Sequence, residues 1–188
     1  MPIIFIGGTP GVGKTTVARR LAARLGIDCI SVAELVVREG LHRGYDAERR
    51  AYVVDVEGVR ERLRLIARGK LVVVETHVVD SVPPDQVEAA IILRLDPRLL
   101  EERLKARGYP PIKTLENVQA ELLDACLIDA VRAFGHDRVF EVDTTGKEPD
   151  EVVDEIVKIL EEGRGPKPGS VDWLSKLGEE AEKYLRQG

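Results

Sequence analysis

The segment Gly8-Thr9-Pro10-Gly11-Val12-Gly13-Lys14-Thr15 constrains this chain more than any other. It matches the pattern G-x-x-x-x-G-K-[ST] in full. An apolar run, Ile3-Ile4-Phe5-Ile6, precedes it, and a helix pattern from Lys14 to Leu25 follows. A strand, a glycine loop and a helix in that order make a nest for phosphate. Glycines let several backbone N–H groups point inward, and the helix N-terminus adds unpaired donors and a favourable dipole. Gly8, Thr9, Pro10, Gly11, Val12, Gly13, Lys14, Thr15 and Thr16 are therefore candidate contacts for ATP. Lys14 brings a positive charge to the β- and γ-phosphates, and the Thr15 hydroxyl is a candidate Mg2+ ligand. The pattern specifies a nucleoside triphosphate, and leaves open what happens to its γ-phosphate.

The chain after the loop reads as an α/β domain. Helix 1 stops at Gly26, and Ile27 to Val32 reads as a second strand, which completes a βαβ unit and implies a parallel sheet. Ala33 to Glu39 is helical, and Leu41 to Val54 shows no clean period and reads as an irregular excursion. A helix from Val56 to Arg68 follows, then the fully buried strand Leu71-Val72-Val73-Val74. Ala89 to Leu95 is a fourth strand, Asp96-Pro97 opens a helix to Arg107, and Gly108-Tyr109-Pro110-Pro111 breaks it. Leu115 to Phe134 reads as one long helix with a partly polar face. Arg138 to Val142 is a fifth strand, and a helix from Glu148-Pro149 to Glu162 closes the domain. Gly163 to Gly169 is a linker by composition, and Ser170 caps a short helix carrying Val171, Trp173, Leu174, Leu177 and Leu185. That apolar stripe needs a partner, either its own domain or another chain.

Chemistry can be placed at the strand ends, where open α/β sheets hold ligands. Glu75 ends the buried third strand, where a carboxylate can hold Mg2+ or its water or polarise the attacking group, with a plain pairing to a nearby Lys or Arg as the alternative. His77, two residues on, is either a group that orients water or acceptor, or a hydrogen-bonded structural histidine. Arg103 and Arg107 lie four apart on one helix face beside the Gly108 break, where they can clamp phosphoryl charge or simply face solvent. Arg38 is a candidate for an acceptor phosphate, with a surface role as the alternative, and Ser31 at the second strand end joins it as a substrate contact. Tyr45 and Tyr52 fit either a base stack or turn packing, and Cys126 fits the core.

Composition sets outer limits. A net charge of −5 argues against broad nucleic-acid binding and leaves no sign of direct sequence-specific readout. Two cysteines give no disulfide framework or metal cluster, so the expectation is a reducing, cytoplasmic compartment. The N-terminal apolar run is too short for a membrane span and lacks the basic lead of a signal peptide. Charged residues reach 32%, against about 25% in typical proteins, and with a single Asn this resembles a thermophile composition.

Taken together, the phosphate loop, the strand end Val74-Glu75-Thr76-His77, the Gly44-Tyr45-Asp46 stretch, Arg107-Gly108-Tyr109 and Asn117-Val118-Gln119-Ala120-Glu121 resemble the adenylate kinase isoenzyme 6 family. The resemblance covers about residues 3 to 160. It implies a phosphate-loop NTPase three-layer sandwich with a five-stranded parallel sheet in the order 2-3-1-4-5. It implies an acceptor-nucleotide region at residues 31 to 55 and a short lid at 108 to 119 within a domain spanning 1 to 162. It implies transfer of the γ-phosphoryl group of ATP to AMP with Mg2+, and ATPase activity besides. Small ribosomal subunit maturation is also implied, through a small-subunit ribosomal protein and the ribosomal precursor. By similarity, Thr145-Gly146-Lys147 should lie against the adenine, with Arg103 and Arg107 near the base and phosphates. Two features depart from that family: the strand end is Glu-x-His instead of Asp-x-His, and the chain after Gly163 has no counterpart there. A third departs from ordinary adenylate kinases, which carry several lid arginines, whereas the segment Tyr109 to Glu121 has none. Two rival readings are an ATPase switch with little kinase activity and a kinase of another small acceptor.

Overall fold

The computed structural model describes residues 2–47 and 51–186. The chain opens with β1 (Ile3–Gly7), α1 (Lys14–Leu25), β2 (Asp28–Ser31) and α2 (Val32–Glu39). A hairpin follows, β3 (His42–Asp46) and β4 (Ala51–Val54), then α3 (Val56–Ile66) and β5 (Val72–Glu75). The second half holds β6 (Val87–Arg94), α4 (Pro97–Ala106), α5 (Pro111–Leu122), α6 (Ala125–Phe134), β7 (Val139–Asp143) and α7 (Pro149–Glu162). Two short helices end it, α8 (Trp173–Leu177) and α9 (Glu179–Leu185).

Five strands pair in the order β2-β5-β1-β6-β7, every pair parallel. Counting only these five, that is the expected order 2-3-1-4-5. Every residue of β1 is buried, and its side chains alternate between the two faces. Ile4 and Ile6 pack with Val17 and Leu21 of α1 and Val152 and Ile156 of α7. Ile3 and Phe5 pack with Leu35 of α2, Leu63 of α3 and Phe134 of α6. The central strands can read as unbroken apolar runs because both faces are covered.

Three expectations change. The segment from Leu41 to Val54 is an antiparallel hairpin, with Tyr45 opposite Tyr52 and Asp46 opposite Ala51. The aromatic pair and the β-branched run Val53-Val54 favour that pairing. Residues 48–50, within the expected excursion, lie outside the described residues. The expected single helix from Leu115 to Phe134 is two helices broken at Asp124, whose φ of 57° interrupts the hydrogen-bond ladder. Arg94 supplies the reason, since its guanidinium bonds both the Asp124 carboxylate and the Glu121 carbonyl at the helix end. The C-terminal segment is also more than one helix on a linker. Pro166 accepts a hydrogen bond from Glu141 N at 2.9 Å, so the chain follows β7 before α8. Asp172, not Ser170, caps α8, accepting from Ser175 N at 2.9 Å. Of the two partners left open for the apolar stripe, the structure supplies its own domain. Val171, Trp173, Leu177 and Ala181 are buried against Leu122. Among the described residues no helix is long and apolar enough to cross a membrane.

Candidate active site

The phosphate loop links the buried end of β1 to the first turn of α1. Gly8 has φ 135°, and a Cβ there would sit 2.5 Å from the Leu93 carbonyl oxygen, so only glycine lets the loop leave the sheet this closely. Gly13 has φ 110°, and a Cβ there would project into space free of protein atoms at the α1 N-terminus. That is the open nest an anion needs. The Lys14 ammonium donates to the Thr9 carbonyl at 3.0 Å across the loop. Burial lowers the Lys14 pKa, and Arg107 adds to the fall, while Cys126, Glu75 and Glu121 oppose it.

Two oxygen groups meet at the strand end. The Thr15 hydroxyl donates to Glu75 Oε1 at 3.2 Å, and the Glu75 side chain is buried. Parallel pairing sets Ser31, the last residue of β2, beside Glu75. A hard divalent cation takes oxygen ligands and is commonly held by one or two protein groups plus substrate phosphates. Thr15 and Glu75 fit that donor set, and no cluster of three or more His, Cys, Asp or Glu side chains forms a separate metal site among the described residues. His77 stands just beyond. Desolvation in the cleft pushes its imidazole down to about 4, with Lys14 and Lys113 adding to the fall. The residue is nevertheless exposed at its rim, so solvent screens the two cations. His77 is neutral at pH 7.

A cleft of about 650 Å3 opens from the phosphate loop at Gly8, Thr9 and Pro10. The hairpin contributes Asp46 and Ala51, and His77 stands between. Lys113 and Asn117 of α5 and Cys126 and Asp129 of α6 close the far side. A second chamber thus adjoins the phosphate nest, with a mixed apolar and polar lining suited to a small ligand.

A family model described as an AAA domain matches residues 4–124. The "Putative adenylate kinase" of Thermococcus onnurineus is 44% identical over 186 residues, covering 99% of this chain and 98% of that protein. The protein of the same name from Pyrococcus furiosus is 43% identical over 188 residues, covering 99% and 98%. The chain belongs to this adenylate kinase-like family. Among solved structures, shikimate kinase from Bacteroides thetaiotaomicron superposes with a TM-score of 0.58 at 19% identity, covering 85% of this chain and 98% of that one. Thymidylate kinase from Candida albicans gives 0.59 at 14% identity, covering 88% and 96%. These two likenesses show the fold, a phosphate-loop kinase architecture. The near-full coverage of the archaeal relatives includes α8 and α9, so the C-terminal segment is part of this adenylate kinase-like chain and not an appendage to it.

The remaining expected site residues are spread more widely in this adenylate kinase-like protein. Arg103 on α4 and Arg107 just past its end are exposed and form no ion pair with a described residue, but Arg107 is close enough to act on the Lys14 pKa. The loop bearing Gly146 and Lys147 is held beside the start of α4, because the Thr145 hydroxyl accepts from Asp96 N at 2.9 Å. Lys147 itself pairs with Glu155 at 2.6 Å, so its ammonium is turned onto α7. Arg38 is exposed in the last turn of α2 and pairs with Glu39 at 3.2 Å, about two turns from Ser31. Sequence reasoning missed Arg94 and Glu141 altogether, and treated Glu121 only as part of a motif. Arg94 is 1% exposed and bonds Glu121 at 2.8 Å and Glu141 at 2.5 Å. Burial alone would lower its pKa, but the surrounding carboxylates raise it, so it stays charged. The signal was present: a lone arginine inside the apolar run Ile91-Ile92-Leu93-Arg94-Leu95 must find buried partners. Cys126 is also at the loop, accepting from Gly8 N at 3.1 Å, with its thiol pushed up to about 11 by burial.

Proposed function

We propose that this phosphotransferase moves the γ-phosphoryl group of ATP to AMP, yielding two ADP. The observation that carries the reading is the chamber of about 650 Å3 beside the phosphate nest. Water as acceptor needs no such space, whereas a nucleoside monophosphate does. The archaeal relatives' name supports AMP as the monophosphate. The bond from the γ-phosphorus to its bridging oxygen breaks, and an AMP phosphate oxygen forms the new bond. Such transfers depend chiefly on positioning and charge. Lys14 moves from the Thr9 carbonyl to the transferring group and offsets its charge. Thr15 and Glu75 would hold Mg2+, which would supply neutralisation of phosphate charge. His77, neutral, offers an imidazole nitrogen to the acceptor side. Arg107 adds positive charge, and Arg103 and the Gly146-Lys147 loop flank the base of ATP. Residues 31 to 55, with Ser31 and Arg38, form the acceptor region, and 108 to 119 the lid.

A specific observation favours a second reading for the same site. The segment Tyr109 to Glu121 contains no arginine, and Lys113 is its only cation. A lid without arginine closes weakly on phosphate. In that reading the main activity is ATP hydrolysis with little transfer to AMP, coupled to small ribosomal subunit maturation through a small-subunit ribosomal protein and the ribosomal precursor. A linked two-adenosine pentaphosphate separates the two readings. The adenylate kinase reading expects inhibition competitive with both ATP and AMP. Inhibition competitive with ATP alone, at the strength of a simple ATP analogue, contradicts it.

A further inference from the structure

The residues Asn117, Gln119 and Glu121 belong to one motif but face different neighbours. Asn117 bonds within its own helix, its side-chain N–H donating to the Lys113 carbonyl at 2.6 Å. Gln119 donates to the Tyr184 carbonyl of α9 at 2.6 Å. Glu121 is 2% exposed and is the acceptor for four donors. Its Oε1 takes Arg94 Nε at 2.8 Å, Leu95 N at 3.2 Å and the Trp173 indole N–H at 3.0 Å. Its Oε2 takes the Thr9 hydroxyl at 2.6 Å. Thr9 belongs to the phosphate loop, and its carbonyl holds the Lys14 ammonium. A continuous set of hydrogen bonds therefore runs from α8 through Glu121 and Thr9 to Lys14.

Every link is buried, and charged acceptors make such bonds about twice as strong as neutral ones. Low polarity around the carboxylate raises the cost of moving any one donor. Arg94 is the cation bonded directly to Glu121, and Lys14 acts on it from across the loop. The indole N–H adds direction, because it fixes the rotation of the carboxylate plane and so the place where Oε2 meets Thr9. Further contacts hold the C-terminal segment in place. Tyr184 donates to Glu101 at 3.0 Å, and Ser170 N donates at 2.8 Å to Glu141, which pairs with Arg94.

We propose that Glu121 is a positioning residue for the phosphate loop and that Trp173 orients it, so that the C-terminal segment is coupled to occupancy of the nucleotide site. The inference rests on the nucleotide-binding reading above. When phosphate enters, Lys14 leaves the Thr9 carbonyl, Thr9 shifts, and Glu121 carries the change to the indole. Conversely, loosening Trp173 displaces Thr9 and weakens transition-state placement of Lys14 more than it weakens nucleotide binding.

Trp173 is the only tryptophan, so its fluorescence reports one site. The test titrates the full-length protein with MgADP while equilibrium dialysis measures binding independently. The expected result is a saturable change in emission with the same midpoint as dialysis. In Thr9→Val, which removes the hydroxyl, the emission change is lost at MgADP concentrations that dialysis shows to saturate that variant. Trp173→Phe keeps an aromatic ring against Leu122 and Leu177 and removes the donor. It should lower kcat about threefold to tenfold with KM for ATP changed less than about twofold. If Trp173→Phe does not fold, the Thr9→Val titration still decides. Three results would overturn the proposal. They are emission that stays constant while dialysis shows saturation, an unchanged response in Thr9→Val, and a soluble Trp173→Phe with wild-type kcat. Absence of MgADP binding by dialysis would instead remove the nucleotide reading, and the coupling with it.

Discussion

At Glu121 four donors converge on a carboxylate that is 2% exposed, while on the β3–β4 hairpin Tyr45 and Tyr52 stand 56% and 41% exposed. The first region holds the phosphate loop, and the second borders the chamber proposed for the acceptor. Their wiring differs in the same way. Arg94 bonds three carboxylates from α5, β7 and the α5–α6 break. The hairpin holds its rings by contacts among themselves, Tyr45 to Tyr52 at 5.2 Å and His42 to Tyr52 at 4.4 Å between centroids. The difference teaches where order is built in advance. Phosphoryl transfer needs charges fixed at the donor phosphates, which is what the buried bonds around Glu121 and Thr9 supply. On the proposed acceptor side, the reading has the hairpin close on its ligand.

The contrast can be broken most sharply by Arg94→Met. Removing one partner of a buried charge cluster leaves carboxylates uncompensated, so unfolding in urea should show a loss of about 3–5 kcal/mol. A loss below about 1 kcal/mol would mean the phosphate-loop region is not the ordered half. Next is Lys14→Ala, which should lower turnover about 10²–10³-fold with the fold intact by circular dichroism. Activity within about threefold of wild type would remove Lys14 from the mechanism.

His77 sharpens the comparison through pH. Its pKa is lowered from 6.5 to about 4 in the folded protein. Between those values the unfolded chain binds the proton and the folded chain does not, so stability rises with pH through the window and is complete above it. Acid titration should therefore show stability falling from about pH 6.5 towards 4, with a shallower fall in His77→Gln. Turnover should show no inflection near 6.5, because the imidazole is already neutral there. An inflection at 6.5 that His77→Gln abolishes would place the group in ordinary solvent. The smallest effect belongs to Arg38→Ala. An exposed pair with Glu39 predicts a stability change within about 0.5 kcal/mol, measured by thermal melt. Arg38 matters only if KM for AMP rises in that variant while KM for ATP does not.

Much of this architecture was readable from local pattern. The phosphate loop, α1 with its terminal Gly26 and the five sheet strands each announce themselves by glycine placement or apolar runs, and they lie where the sequence puts them. Lys14, Thr15 and Glu75 come together as their positions at strand end and helix start require. What stayed hidden depends on contacts between distant residues. The break at Asp124 follows from Arg94, 30 residues away. The use of Glu121 follows from Trp173, 52 residues away, and Thr9, 112 away. No local period encodes such partners, although an arginine inside an apolar strand tells that partners exist. The hairpin was missed for a different reason, because two short, half-exposed strands show too few alternations to stand out.

The central claim is phosphoryl transfer to AMP across the chamber beside the phosphate loop. The most direct measurement incubates purified protein with MgATP, with and without AMP, and follows nucleotides and free phosphate by chromatography. The account predicts that AMP is consumed and two ADP appear for each ATP, with little free phosphate. Equal rates of ADP and free phosphate, unchanged by AMP, would contradict it and leave the site an ATPase.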